Sequence, residues 1–155
     1  MTIEKTGDGH LKLHITDEFD FHRLSELVQD ATGEESEFSI VDQVGQHIAE
    51  DDWEEFTKPE LKEKFQTDIA SVAKVVKAAY EADAQEILVS PQEARNWYST
   101  INQALLHLES RYQLSRVDLE PELDNLSESI IHVILRADFY QYLQSYTLEI
   151  IPWEI

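Results

Sequence analysis

The chain has 155 residues, no cysteine, and 32 Asp and Glu against 12 Lys and Arg, a net charge of −20. That length suits a single domain spanning residues 1–155, with a core that needs neither disulfides nor metal. The missing thiols exclude disulfide scaffolds, thiol catalysis and cysteine-held metals, and the charge repels nucleic acid and anionic membrane surfaces.

Met1 to His10 has no basic stretch followed by an apolar run, so it does not read as a secretion signal. His10 to Ile15 alternates, with Leu11, Leu13 and Ile15 on one side, which predicts a short half-buried strand. Thr16 and Asp17 then offer a cap for a helix with apolar positions Phe21, Leu24, Leu27 and Val28. Ala31 to Glu37 is a polar break around Gly33. Phe38, Val41, Val44 and Ile48 have helical spacing, which Gly45 weakens.

Thr57 and Glu60 form a capping box for a helix running to about Asp83. Its stripe is Leu61, Phe65, Ile69, Val72, Val76, Ala79 and Tyr80. Glu86 to Val89 reads as a short extended link. Ser90, Pro91 and Glu93 are a cap, a first-turn proline and the closing acid of a second capping box. Ala94, Trp97, Tyr98, Ile101, Leu105, Leu108 and Tyr112 follow on one helical face. Pro121 opens the last long helix, to about Ser145, with a stripe of Leu123, Leu126, Ile130, Ile134 and Ala137 and further residues that make it apolar nearly all round. Such a helix is either central or shared with a second subunit, so a homodimer through it is a further expectation. Thr147 to Ile155 alternates weakly and is a candidate to pair with the Leu11–Ile15 strand. The fold class is therefore mainly α: four to five helices in a bundle with a short N-terminal β-strand.

Catalytic and cofactor motifs are missing. No histidine has a Glu three residues before it, as a carboxylate-bridged metal bundle requires, and no His-Glu-x-x-His occurs. His10 and His14 would lie roughly 13 Å apart on a strand, too far to share an ion. There is no nucleophile elbow, dinucleotide fingerprint or phosphate loop. No catalytic residue, metal or cofactor is assigned. The sharpest surface feature is Glu50, Asp51, Asp52, Trp53, Glu54, Glu55 and Phe56, an acidic cluster holding two aromatic anchors. Aromatics concentrate binding energy and surrounding charge steers a partner, so this cluster is the candidate contact for a basic protein. His132 interrupts an apolar run as a buried histidine or a pH-sensitive group.

Trp97, Ile101, Asn102, Leu106, Leu108 and Arg111 form the pattern W-x-x-x-I-N-x-x-x-L-x-L-x-x-R. It resembles the central motif of an uncharacterised bacterial family known only as a domain of unknown function. This chain departs from that motif at Leu105 and Glu109. Asn102 and Arg111 are the matched polar positions, one suited to bond a neighbouring helix end, the other to the helix dipole. The resemblance implies a small helical protein, encoded beside the adaptor of the Clp protease and so near regulated proteolysis. Together these features lead to a non-catalytic, cytoplasmic, protein-binding or regulatory module. A DNA mimic, or a carboxylate and histidine metal protein or enzyme, stands as the alternative.

Overall fold

Leu11 and Leu13 have no exposed surface, and the strand they stiffen is the middle one of three. A computed structural model describes residues 1–33, 58–114 and 128–152. Strand β1 (Thr2–Lys5) pairs antiparallel with β2 (Leu11–His14), and β2 pairs antiparallel with β3 (Glu86–Val89). The register sets Ile3 opposite Leu13, Leu13 opposite Ile87 and Leu11 opposite Val89, so one face is apolar and buried. The turn between β1 and β2 needs Gly9 at φ 85, a conformation that a side chain resists.

The sheet adds a strand at the start of the chain and corrects one reading. The first residues form a strand, because Ile3 is the single large apolar side chain that β2 needs from that side. The tail does not pair with β2. Both edges of β2 are already occupied, and Thr147 to Ile150 complete the last helix instead. Proline at 152 then follows the helix end, where it costs no ladder bond.

Four helices lie among the described residues: α1 (Glu18–Thr32), α2 (Lys58–Glu81), α3 (Pro91–Tyr112) and α4 (Glu128–Ile150). The fold is mainly α, as the sequence leads one to expect. Asp17 caps α1, its carboxylate accepting from the Asp20 N–H at 3.2 Å. Asp20 answers by accepting from the Thr16 N–H at 2.8 Å and its hydroxyl at 2.9 Å. Burial opposes the Asp20 charge, but these donors outweigh it and hold its carboxyl below the usual carboxylate value.

Ser90 caps α3 as expected, accepting from the Glu93 N–H at 3.1 Å, with Pro91 at the first position. The Glu93 side chain makes no return bond to Ser90 among the described residues, so only half of the capping box forms.

Helix α3 is central. It packs on α1, α2 and α4, burying Ala94, Trp97, Ile101, Ala104 and Leu108. The all-round apolar α4 resolves into a buried face of Val133, Ala137, Tyr140, Leu143, Thr147 and Ile150. The stripe expected through Ile130, Ile134 and Ala137 is only partly that face, because an even apolar distribution gives the helix no preferred side and its neighbours choose one. Tyr80, expected on the core stripe of α2, is 61% exposed.

Helix α1 runs through Ala31, into the expected break, and ends where Gly33 adopts φ 62. A Cβ on Gly33 would lie 2.7 Å from the His107 ring. Gly33→Ala therefore meets two penalties at once, a left-handed backbone and a steric clash. A thermal melt is expected to show a loss of about 2 kcal/mol.

Candidate functional site

Helices α1 and α4 both rest on α3, but their backbones stay apart and long side chains bridge the gap. Phe19, Arg23, Glu26 and Asp30 recur at steps of three and four along α1, beside its buried face. His132, Leu135, Arg136, Phe139 and Tyr140 do the same along α4. Side chains from both helices line a groove of about 460 Å³.

A polar network closes the floor. The Tyr140 hydroxyl donates to Asp30 Oδ2 at 2.5 Å, and Arg136 Nη2 donates to Asp30 Oδ1 at 3.2 Å. Arg136 Nε lies 3.3 Å from Glu26 Oε2 but makes no aligned hydrogen bond, although the atom is buried. Glu26 also meets His22, Nε2 to Oε1 at 2.8 Å. Burial and the neighbouring Asp30 carboxylate push ionisation of the Tyr140 phenol far up, so this group stays protonated and acts as a donor.

Arg23 stands apart from this network. Its guanidinium lies over the Phe19 ring at 4.7 Å and over the Phe139 ring at 5.3 Å. Among the described residues no carboxylate pairs with it. The walls beside it are Phe19, 56% exposed, and Leu135, 58% exposed. The groove thus joins open apolar surface to the guanidinium of Arg23, an arrangement suited to binding.

Including the groove wall, α4 presents an exposed or half-buried strip of Ile131, Leu135, Phe139, Tyr142 and Tyr146. Tyr142 and Tyr146 meet edge to face at 5.1 Å. Residues 131–148 hold one arginine and one aspartate, in a chain whose net charge is −20.

The back of the site is tied to α3 by His107. Its Nδ1–H donates to the Asp30 carbonyl at 3.1 Å. Burial lowers the affinity of this ring for a second proton, more than the Asp30 contact restores it. A folded-state value below the ordinary 6.5 means that the unfolded chain takes up the proton first. Stability from His107 is therefore complete above that value and is lost as pH falls toward the folded one. Thermal melts at about pH 7.5 and about pH 5.5 are expected to separate more for the wild type than for His107→Gln.

Residues singled out from the sequence lie elsewhere. Glu50 to Phe56 falls outside the described residues. Asn102 is exposed on α3 and makes no hydrogen bond to a neighbouring helix end among the described residues. Arg111 sits in the last turn of α3, as the dipole argument expects, with its guanidinium 5.2 Å from the Tyr112 ring centre. Neither lines the groove. His132 is exposed at the groove wall rather than buried. His14 bonds Glu4, at 3.0 Å across the hairpin. A second hollow of about 520 Å³ is walled by Asp17, Glu18, Asp83, Glu86 and His14. Among the described residues no three His, Asp or Glu side chains are placed to hold one metal ion. No helix there is long and apolar enough to cross a membrane.

The signal for the groove was present in the sequence as charged and aromatic residues at helical spacing. It could not be used there, because nothing local brings residues 19–30 against residues 132–140.

The family of the domain of unknown function DUF2017 matches residues 13–151. The chain belongs to the DUF2017 family. That match takes in the end of β2 and all of α1, α2, β3, α3 and α4, so the groove and its supporting helices are parts of the DUF2017 region. No curated protein and no solved structure matches the chain.

Proposed function

We propose that this DUF2017 protein is a non-catalytic module that binds another protein through the outer face of α4. One observation carries the reading: α4 shows an exposed strip with Leu135, Tyr142 and Tyr146, nearly free of charge, on a chain of net charge −20. Interface centres are depleted of charge and enriched in aromatics, and three of the six tyrosines of this chain lie on α4. The surrounding acidity favours a partner whose rim is basic. The gene neighbourhood implied by the family resemblance makes components of regulated proteolysis the first partners to try, in the cytoplasm.

A photo-reactive residue at Tyr142, compared with one at the exposed Lys77 on α2, tests this in cells. The reading expects one specific protein to be joined at position 142 and not at 77. Equal labelling from both sites contradicts it. If the joined protein binds DNA and duplex DNA displaces it, the DNA-mimic alternative gains instead.

A second copy of the chain is the other reading for this face. Two acidic shells repel, while two near-neutral strips attract. Self-association of that kind strengthens with salt, because screening removes the repulsion and leaves the apolar contact. Sedimentation is expected to show more dimer at high salt than at low salt, and monomer alone at both would remove this reading.

A further inference from the structure

We propose that the pocket at the head of the α1–α4 groove is a binding site for an apolar monocarboxylate, with Arg23 as its anion receptor. The pocket shares Leu135 and Phe139 with the outer face of α4, and its test uses small ligands alone, so its failure is distinguishable from failure of that face to bind a protein. A space of about 460 Å³ falls within the usual size of a small-ligand pocket. Its open walls are apolar: Phe19, Leu135 and Phe139. The Arg23 guanidinium is held over two aromatic rings, 4.7 Å from the centre of Phe19 and 5.3 Å from that of Phe139, contacts that use the ring faces and no carboxylate. In a chain with 32 acidic residues, an arginine without a carboxylate partner among the described residues is an unused charge at a prepared place.

The pairing pattern selects the ligand. Arg136 meets both Asp30 and Glu26, whereas among the described residues Arg23 meets no carboxylate, so a single carboxylate supplies the contact that Arg23 lacks. A dianion such as a phosphate monoester would place its second charge beside Glu26, another lining residue, and is disfavoured. The carboxylate takes the Arg23 fork, and the apolar part lies along Phe19, Phe139 and Leu135. The same chemistry can come from a free aliphatic acid or from the C-terminus of a peptide ending in an apolar residue.

Decanoate titrated into the whole protein, followed by the nuclear magnetic resonance of the backbone amides in every variant and of the Arg23 Nε–H in the wild type, tests the assignment. Decanol, decyltrimethylammonium and decyl phosphate serve as controls, and a short peptide ending in leucine is compared as acid and amide. Saturable binding of decanoate or the peptide acid, tighter than its controls and weakened about tenfold or more by Arg23→Gln, supports the site. Decanoate binding points to a free acid, and binding of the peptide acid alone points to a chain terminus. Leu135→Glu, at an exposed position, offers Arg23 an internal carboxylate and is expected to weaken binding as well. The same spectra report whether each variant is folded. Binding of neither acid, equal binding of the uncharged or cationic controls, tighter binding of decyl phosphate, or full affinity in folded Arg23→Gln overturns the proposal.

Discussion

Trp97→Ala is expected to remove about 3–5 kcal/mol of stability, the range for deleting a large buried aromatic. Trp97 is 1% exposed and sits on α3, the helix that touches the other three. Its indole belongs to the same cluster as Leu24 on α1, Val72 on α2 and Leu143 on α4. No neighbour can relax into the space without pulling away from another. A domain of this size commonly has only about 5–15 kcal/mol in total, so the variant would sit near the edge of folding. Trp97→Phe should recover part of the loss, because it restores much of the buried volume. Calorimetric melts of the three proteins give the comparison. An unchanged melt for Trp97→Ala would place that residue outside the core.

Asp30→Ala is expected to cost about 2–3 kcal/mol, because it orphans two donors rather than one. The Tyr140 hydroxyl loses its acceptor in a position 1% exposed, and Arg136 loses the bond at 3.2 Å. The cost stays below that of breaking a fully buried pair, since the Arg136 side chain keeps 29% exposure. Tyr140→Phe alone removes the donor with its partner still held by Arg136, and so costs less. In the double variant the orphaned hydroxyl is gone, and the two losses should sum to more than the measured one. Chemical denaturation of the four proteins measures that coupling, which for direct contacts is about 0.5–3 kcal/mol. Simple additivity would mean that Asp30 and Tyr140 do not share a bond.

Local signals were legible wherever the chemistry was local. Ser90 and Asp17 announced their helices because a cap needs only its own next three residues. Trp97, Ile101 and Leu108 announced the core face of α3 through spacing alone. The strand at Ile3 was not legible, since four residues with one buried apolar position carry no period. The tail misled for the reverse reason: Thr147, Leu148 and Ile150 alternate weakly, yet β2 had no free edge to offer them. The face of α4 was undetermined in principle, because a helix apolar on every side is oriented only by its neighbours. The groove had the same obstacle. Arg23 and Phe139 are far apart in the chain, and only the packing of α1 and α4 on α3 brings them together.

Residues 131–148 of α4 hold one arginine and one aspartate, and beside them Arg23 and the aromatic rings at the mouth of the groove are exposed or half-buried. Asn102 and Arg111, the polar remainder of the family motif, belong to a different surface. The family match and the proposed binding face can therefore be separated by experiment.

The most direct test of the binding face is the affinity of the protein joined at Tyr142 for purified variants. The account expects Tyr142→Glu and Leu135→Glu to weaken binding about tenfold or more, the scale of losing one interface anchor. It expects Asn102→Ala and Arg111→Ala to bind like the wild type. Unchanged affinity in the two α4 variants, with loss in Asn102→Ala or Arg111→Ala, would contradict it.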